Sequence, residues 1–284
     1  MPKKIAVIND LSGFGRCSLT AAISVLSAMG VQACPLPTAI LSAQTGYPSY
    51  YCDDYTEKMD IFRREWTKIG QSFDGIYTGF VAGPEQIHQI FRFIDTFRTS
   101  ATFLLVDPIM GDNGQTFPIY SPKLLMEMRK LTNLADIITP NLTEFCLLTG
   151  ADYQELSVCK TAKELLDSIE KRGLDYCQDG PKDMIVTGIQ ITGADGAKKI
   201  GNLHIGKNGS HFCSCPYIGG SYSGTGDLFA SCIAAGIARD ERIPDIMQRA
   251  GEFLRLALLD SVRENIPRND GVNYEKYLPM LMQS

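Results

Sequence analysis

The sequence predicts an α/β fold built on a mostly parallel sheet with helices on both faces. The first observation is that short apolar, β-branched runs alternate with longer amphipathic stretches through most of the 284 residues. The second is a break in this alternation at 198–215, where two strand-like runs flank Gly206-Lys207-Asn208-Gly209. Alternating strands and helices are typical of parallel sheets, and two strands joined by a tight turn form an antiparallel hairpin. We therefore expect an antiparallel hairpin at one edge of the sheet.

The period of the apolar residues predicts each element in turn. Strands are predicted at 5–8, 75–78, 103–106, 137–139 and 184–187. Helices are predicted at 18–29, 85–97, 122–131, 142–148, 225–238 and 246–262. No internal repeat or low-complexity linker interrupts the pattern, so residues 1–284 are expected to form a single domain.

Composition narrows the class of protein. With 44% hydrophobic and 21% charged residues, the chain has the composition of an ordinary soluble globular protein. The net charge of -5 argues against a broad nucleic-acid or membrane surface, since both favour a basic excess. No stretch approaches the roughly 20 apolar residues of a membrane span. The apolar run after Met1-Pro2-Lys3-Lys4 is too short for a signal peptide, so we expect the nine cysteines to be reduced thiols in a cytoplasm.

One group of potential metal ligands lies near the end of the predicted hairpin. His211, Cys213 and Cys215 alternate along the sequence, which places all three on one face of a strand. No second pair of ligands follows with the spacing of a zinc site. A packed strand face is the favoured interpretation, and a metal site is the alternative.

The segment 219–227, Gly-Gly-Ser-Tyr-Ser-Gly-Thr-Gly-Asp, is the strongest candidate for catalysis. Glycines let backbone N–H groups approach a ligand closely, and a helix that begins near Thr225 would direct its positive end at a phosphate. Asp227 would lie beside the group being transferred, and we expect the helix end to keep it ionised as a weak base. The alternative is a glycine turn with Asp227 as an ordinary helix-start carboxylate.

Two familiar phosphate-binding motifs are excluded. Gly13-Phe14-Gly15 lacks the third glycine of a dinucleotide fingerprint, because position 18 is Ser. No Gly-x-x-x-x-Gly-Lys-Ser/Thr run exists, which excludes a P-loop.

Two acidic segments follow predicted strands. Residues 107–114, Asp-Pro-Ile-Met-Gly-Asp-Asn-Gly, could hold magnesium through water, or could be a simple turn-rich loop. In 139–144, Thr-Pro-Asn-Leu-Thr-Glu, Asn141 and Glu144 have the spacing of a helix capping box. The functional alternative places both residues near a metal and a triphosphate, and nothing local decides between the two.

Taken together, these segments resemble the pyridoxal kinase branch of the ribokinase family. The resemblance covers residues 7–236 and rests on the runs 107–114, 139–144, Val186-Thr187 and 224–230. It implies a three-layer α/β/α ribokinase-like fold and an ATP-dependent kinase that uses Mg²⁺. It also implies a homodimer and, as in many relatives, a monovalent cation such as K⁺.

The resemblance implies a role for individual residues as well. Asp227 would take the proton of the substrate hydroxyl, and the amides of Gly224, Thr225 and Gly226 would form the anion hole. Asp107 and Glu144 would face the metal. The nucleotide phosphates would be contacted by Asp112, Tyr120 (as a lid residue), Asn141, Glu144, Thr187, Ser223 and Gly224.

The substrate end of the sequence combines features of two kinase types. Gln44-Thr45-Gly46-Tyr47 resembles the Asn-His-Thr-Gly-Tyr run of pyridoxal kinases, with Gln44 in place of the His. Asp10 stands at an early Ser position, and Phe80 replaces a frequent Tyr. Asp10-Leu11-Ser12-Gly13 and Ala43-Gln44 instead resemble hydroxymethylpyrimidine kinases, which often carry Cys where this chain has Asp227. The expected substrate-binding residues are Asp10, Ser12, Gln44, Thr45, Tyr47, Phe80 and Asp227.

The expected substrate is a B6 vitamer, with hydroxymethylpyrimidine as the runner-up. A nucleotide or vitamer sensor without turnover is the non-enzymatic alternative, and Asp227 argues against it, because a binder needs no carboxylate at the reacting hydroxyl. Asp10 directly follows the first predicted strand, so we expect its side chain either to face the ring or to form an Asx-turn with backbone N–H groups near Ser12 and Gly13.

Overall fold

The computed structural model describes residues 2–193 and 195–282. Strands cover Lys4–Ser12 (β1), Gln32–Leu41 (β2), Cys52–Asp54 (β3), Gly75–Thr78 (β4), Phe103–Val106 (β5), Gly111–Asp112 (β6), Gln115–Thr116 (β7), Ile137–Ile138 (β8), Asp183–Thr192 (β9), Lys198–Gly206 (β10) and Gly209–Pro216 (β11). Helices cover Ser18–Ala28 (α1), Thr56–Lys68 (α2), Pro84–Phe97 (α3), Pro122–Leu134 (α4), Leu142–Thr149 (α5), Tyr153–Ser157 (α6), Ala162–Cys177 (α7), Thr225–Ala238 (α8) and Ile243–Arg263 (α9). Short 3₁₀ helices at Arg268–Asp270 and Glu275–Leu281 follow.

The described chain divides into two compact units. The first extends up to Leu104 and resumes at Ile218, and the second comprises Leu105–Tyr217. The expectation of one domain over 1–284 stays a prediction. None of the helices in the described ranges is long and apolar enough to cross a membrane.

In the first unit the strand order is β4-β1-β2-β3. β1 pairs in parallel with both β2 and β4, while the short β3 pairs antiparallel with β2. Ile5, Ala6, Val7 and Ile8 are completely buried, as expected for a parallel strand covered on both faces. The carboxyl ends of β1, β2 and β4 therefore lie at one edge and carry the loops that contain the candidate substrate-binding residues.

In the second unit the strand order is β5-β8-β9-β10-β11. β5, β8 and β9 are parallel, and β9, β10 and β11 are antiparallel. The turn Gly206–Gly209 closes the β10–β11 pair, and Gly209 has a φ of 114°, which favours glycine. The predicted α/β class is confirmed, with mostly parallel strands and an antiparallel hairpin at the edge.

The β11 strand carries the three residues weighed as metal ligands. His211 is exposed, and Cys213 and Cys215 are half-buried along the same strand. Among the described residues, no group of three or more His, Cys, Asp or Glu side chains is arranged to hold a metal ion.

Several elements differ from the sequence prediction. β1 continues to Ser12 rather than ending at Ile8, so Asp10 lies inside the strand instead of after it. β2 was not predicted because Pro35 and Pro37 lack the N–H that a central strand donates. Likewise, β9 continues beyond Thr187 to Thr192 because β10 pairs with it along its length. Helices α2, α6 and α7 were also not predicted.

Candidate active site

Asn9 connects the candidate catalytic residue to β1. Its side chain is fully buried, and Nδ2 donates to Asp227 Oδ1 at 3.1 Å. Its Oδ1 accepts from the backbone N–H of Asp10 at 3.0 Å and of Phe80 at 2.8 Å. Because two N–H groups require the oxygen on that side, the amide must present its nitrogen to Asp227. The orientation of the Asp227 carboxylate is therefore set from β1.

Asp227 is the third residue of α8 and is itself buried. Burial raises its pKa to about 6, and the backbone N–H of Ser18, which donates to it, opposes that rise. The nearby Asp10 raises the pKa further, and the Asn9 amide lowers it. Burial therefore makes Asp227 a stronger base than expected from the sequence. A carboxylate with a pKa of about 6 is still ionised at neutral pH and accepts a proton more readily than a typical Asp.

The glycine-rich segment forms the start of α8. Gly224 is the N-cap residue, with a φ of 82°, and an added Cβ there would lie 2.0 Å from Arg16 O. Both the backbone conformation and the close approach therefore require glycine. The first bond of the helix runs from Leu228 N to Gly224 O, so the amides of residues 225–227 have no acceptor within α8. Gly226 is exposed and has open space beside it, which suits the approach of an anion.

Asp10 is buried within β1, and its Oδ2 accepts from Ser12 Oγ at 2.9 Å. Burial raises the pKa of Asp10, while hydrogen bonds from the Ser18 and Ser12 side chains lower it. The Asx-turn alternative was wrong, because Gly13 N donates to Leu41 O at 2.8 Å and β1 continues through this region. Asp10, Ser12 and Asp227 thus form one buried group with two carboxylates.

The remaining candidate substrate-binding residues lie in the loop after β2 and after β4. Gln44 is buried, and its side chain binds Gly46 N at 2.7 Å and Asn269 O at 3.2 Å. Thr45 is exposed. Tyr47 is half-buried and its hydroxyl donates to Asp270 Oδ1 at 2.5 Å. Phe80 is joined to Asn9 through its backbone N–H rather than its ring.

In the second unit, Glu144 forms the predicted capping box at the start of α5. Its Oε2 accepts from Asn141 N at 2.8 Å, and Asn141 Oδ1 accepts from Glu144 N at 3.0 Å. Oε1 also accepts from Met110 N at 3.0 Å. Glu144 is buried, and burial together with the charge of Asp107 raises its pKa well above the usual range. Glu144 is therefore a cap and also one of two interacting acidic groups.

Asp107 and Tyr120 complete this acidic region. Asp107 is buried directly after β5 and accepts from Thr139 Oγ1 at 2.8 Å. The Tyr120 hydroxyl is buried and has no hydrogen-bond partner among the described residues. Burial raises the pKa of Tyr120, and the charges of Glu144 and Asp107 raise it further. A buried hydroxyl near two acidic groups is costly unless a ligand binds there.

The other candidate nucleotide-binding residues surround the start of α5. Asn141 Nδ2 donates to Gly111 O at 2.8 Å, and Gly114 N donates to Thr143 Oγ1 at 2.9 Å. These bonds hold the loop after β5 against the helix. Asp112 is exposed on that loop, and its carboxylate accepts from the backbone and side chain of Asn113. Thr187 N donates to Pro140 O at 2.8 Å, which places Thr187 next to Asn141.

The residues around Asp107 fit a hard divalent cation. Mg²⁺ prefers oxygen ligands and is commonly bound by one or two carboxylates plus substrate phosphates. Asp107 and Glu144 are two such carboxylates, and burial together with the charge of Asp107 disfavours the ionised form of Glu144 by raising its pKa. A cation bound there would supply the missing positive charge.

Three residues in these regions were missed from the sequence. Asn9 and Ser18 donate to Asp227, and Thr143 accepts from Gly114 N in the candidate segment 107–114. Asn9 had a usable signal, since it is a polar residue that directly continues a buried apolar strand. Ser18 has a φ of 52°, which is uncommon for a residue other than glycine. No local sequence pattern predicts this conformation or the contact of Ser18 with Asp227.

Comparison with known proteins identifies the fold and the class of protein. The fold is that of the ribokinase-like kinases, and the chain is a kinase. It matches the model of the phosphomethylpyrimidine kinase family over residues 14–271 and belongs to that family.

Solved structures and curated relatives extend the comparison. A Bacteroides thetaiotaomicron protein assigned to the phosphomethylpyrimidine kinases is 35% identical, with a TM-score of 0.90 over 100% of this chain and 95% of that chain. An orthorhombic form of that protein contains pyridoxal. Pyridoxal kinase from Lactobacillus plantarum is 29% identical, with a TM-score of 0.85 over 99% and 96% of the two chains. Pyridoxal kinase from Dictyostelium discoideum is 26% identical over 84% of this chain and 80% of its own length.

Proposed function

We propose that this kinase transfers the γ-phosphoryl group of ATP to the 5-hydroxymethyl group of a B6 vitamer, pyridoxal, pyridoxamine or pyridoxine, in the salvage of pyridoxal 5'-phosphate. The observation that carries the proposal is Asp227, a buried carboxylate with a pKa of about 6 at the glycine-rich start of α8. Pyridoxal kinases among the relatives, and pyridoxal in a structure of a relative, support a vitamer as the acceptor.

Each part of the first unit has a defined task in this proposal. Asp227 hydrogen-bonds the hydroxymethyl group and accepts its proton as the oxygen attacks the γ-phosphorus of ATP and the bond from that phosphorus to the departing ADP breaks. The backbone amides of Gly224, Thr225 and Gly226 stabilise the charge on the transferred phosphoryl group. Because phosphoryl transfer proceeds through a loose transition state, orientation of the hydroxyl matters more than strong deprotonation. The hydrogen bond from Asn9 supplies that orientation.

The second unit supplies the nucleotide and metal ligands in this proposal. Asp107 and Glu144 hold Mg²⁺, which when bound would neutralise phosphate charge. Asp112, Tyr120, Asn141 and Thr187 contact the nucleotide phosphates. The buried Tyr120 hydroxyl, which lacks a partner among the described residues, would gain one from a phosphate oxygen. K⁺ is proposed as an additional activator.

Phosphorylation of hydroxymethylpyrimidine is the second candidate function. The observation in its favour is the family match over residues 14–271, together with Gln44 at a position where pyridoxal kinases carry His. Both substrates are flat heteroaromatic rings that bear a hydroxymethyl group. A sensor without turnover is the third possibility, and a carboxylate with the pKa of Asp227 has no function in it.

A substrate panel tests the proposal directly. ADP release would be measured with MgATP and each of the three vitamers, and with hydroxymethylpyrimidine and its phosphate. We expect a vitamer to give the highest kcat/KM. A higher value for the pyrimidine would move the assignment to the second candidate, and no ADP release with any acceptor would favour the sensor.

We also propose that the protein acts in the cytoplasm as a homodimer. The cysteines among the described residues are free thiols, which suits a reducing compartment. Light scattering of the purified protein would measure the oligomeric state, and a monomer mass would contradict the dimer.

A further inference from the structure

A short segment near the C-terminus contacts several of the loops that carry the candidate substrate-binding and catalytic residues. We call residues 268–271, the 3₁₀ turn Arg268–Asp270 and the glycine after it, the C-terminal clasp. We call residues 44–47, which follow β2, the substrate loop. Both belong to the first compact unit, although more than 200 positions separate them in the sequence.

Two side chains of the clasp hold the substrate loop. Asn269 Nδ2 donates to Gly46 O at 2.7 Å, and Asp270 Oδ1 accepts from the Tyr47 hydroxyl at 2.5 Å. In the other direction, Gln44 Nε2 donates to the backbone oxygen of Asn269 at 3.2 Å. The hydrogen bond to Asp270 also raises the pKa of Tyr47, because only the neutral phenol can donate it. The loop is thus held by both its backbone and its side chains.

The same clasp holds the two segments next to Asp227. Asp270 O accepts from Arg16 N at 3.1 Å, and Arg268 O accepts from Ser223 N at 3.1 Å. Ser223 directly precedes Gly224, whose Cα has no room for a side chain against Arg16 O. A displacement of the clasp would therefore move the glycine-rich segment as well as the substrate loop.

Close packing leaves the clasp little freedom to shift. A Cβ added to Gly46 would lie 2.8 Å from Asn269 Oδ1, and one added to Gly271 would lie 2.8 Å from Arg16 Cβ. Gly271 also has a φ of 78°, which favours glycine. Both glycines are required by the approach of the clasp to the loops.

We propose that the C-terminal clasp positions the substrate loop, and that Tyr47 and Gln44 act as positioning residues through Asp270 and Asn269. This inference rests on the proposed function, since it assigns the clasp to vitamer binding. The Tyr47 hydroxyl donates to Asp270. The Gln44 side-chain amide accepts from Gly46 N through its oxygen and donates to Asn269 O through its nitrogen. The hydroxyl and the amide are therefore engaged before any substrate binds.

Kinetics give the first test. Tyr47→Phe and Asp270→Ala each remove the same hydrogen bond, and each should raise the KM for the vitamer about three- to tenfold, the usual effect of one lost bond. The KM for ATP should change less than twofold. The double variant should be no worse than the more affected single variant, because the two side chains share one interaction. Two results would overturn the coupling of Tyr47 to Asp270. One is an equal change in the KM for the vitamer and the KM for ATP, and the other is a double variant in which the two single effects add.

Hydrogen–deuterium exchange gives a second test that does not depend on activity. Asn269→Ala and Tyr47→Phe should accelerate exchange in a peptide that covers residues 42–51 by about three- to tenfold, and leave α3 unchanged. Glu264→Gln is the matched control. Glu264 is an exposed residue that follows α9, and its side chain accepts a hydrogen bond from Asn273 Nδ2 rather than from the substrate loop. Tyr47→Phe changes only one hydroxyl, so the test remains possible if Asn269→Ala fails to fold.

The two tests separate the possible failures. Exchange in 42–51 equal to that of the unmodified protein would overturn the clasp itself. Faster exchange with an unchanged vitamer KM would overturn its role in substrate binding. If the unmodified protein phosphorylates no vitamer, the proposed function fails, and the exchange measurement alone then decides whether the clasp holds the loop.

Discussion

The side-chain amide of Asn9 donates to Asp227 Oδ1 across 218 positions of sequence, at 3.1 Å. Because the same amide accepts from Asp10 N and Phe80 N, its orientation is fixed by the backbone at the edge formed by β1 and β4. The candidate general base is therefore oriented by the sheet as well as by its own helix. The predictions that follow depend on this arrangement and on the burial of Asp227.

Asp227→Asn should reduce turnover about a hundredfold or more, the usual contribution of a general base, while ATP still binds. The shape of the site should persist, because the Asn oxygen can still accept from Asn9. Steady-state kinetics and ATP titration measure the two effects. Asp240→Asn is the control, because Asp240 is exposed and lies just after the C-terminal end of α8. This variant should leave both turnover and ATP binding unchanged. Near-normal turnover in Asp227→Asn would show that the reaction centre lies elsewhere.

Asp227→Asn should also change how stability depends on pH. The folded-state pKa of Asp227, about 6, lies above its ordinary value of 3.8, so the folded protein binds the extra proton between these values. Ionisation therefore lowers the stability of the unmodified protein as pH rises from about 4 to 7, by about 3 kcal/mol. The variant avoids this loss, and its stability relative to the unmodified protein should increase over the same range. Urea unfolding at pH 4, 5, 6 and 7 measures the difference, and a constant difference would contradict the raised pKa.

Asn9→Asp should shift the pH–rate profile to higher pH. In the unmodified protein we expect kcat/KM to fall as pH drops below about 6, since Asp227 must be ionised to accept a proton. Asp at position 9 can still accept from Asp10 N and Phe80 N, but it places a second carboxylate, besides that of Asp10, next to Asp227. Like charge raises the pKa of Asp227, so the acid limb should shift upward by about one pH unit or more. An unshifted limb would mean that a different group controls it.

Glu144→Gln should raise the Mg²⁺ concentration required for half-maximal activity about tenfold or more, if Glu144 faces the metal. Gln has one oxygen, so it can accept from Asn141 N or Met110 N but not from both. Losing one of these two hydrogen bonds lowers stability slightly, and removing a buried acidic group offsets that loss. We therefore expect little change in melting temperature. Mg²⁺ titration and thermal unfolding separate the effects.

The matched control for Glu144 is Asp152→Asn. Asp152 caps α6 by accepting from Gln154 N and Glu155 N, and Asn preserves the cap while it removes the charge. This variant should leave the Mg²⁺ requirement unchanged. The same unchanged requirement in Glu144→Gln would reduce Glu144 to a capping residue.

Asp10→Ser should shift preference toward pyridoxal, relative to pyridoxamine, by about ten- to hundredfold. A buried carboxylate pairs with the ammonium of pyridoxamine and repels the aldehyde oxygen of pyridoxal, so the unmodified protein should use pyridoxamine at least as well. Competition assays with both vitamers give the ratio of kcat/KM. Asp152→Ser is the control, because it also replaces an aspartate with serine, which can still cap α6, and Asp152 is not a candidate substrate-binding residue. A strong preference for pyridoxal that Asp10→Ser leaves untouched would exclude Asp10 from substrate recognition.

Local sequence patterns predicted much of the architecture. The limits of β4, β5 and α8 agree with the apolar periodicity, and the hairpin turn at Gly206–Gly209 lies where glycines indicated it. The capping box at Asn141 and Glu144 was likewise visible from residues three positions apart. In contrast, β2 was not predicted, because its prolines disfavour a strand in the local sequence. Pairing with β1 stabilises the strand in the folded protein despite these prolines.

The sequence by itself determined the class of fold and the identity of Asp227 as the residue to examine, because periodicity, turn glycines and helix starts depend on neighbouring residues. Only the tertiary structure decided the strength of Asp227 as a base, since burial and the approach of Asp10 and Asn9 set its pKa. It also decided that Gln44 and Tyr47 bind the C-terminal clasp. These properties arise from groups brought together over more than 200 positions, where desolvation and hydrogen bonding depend on the folded packing rather than on any local pattern.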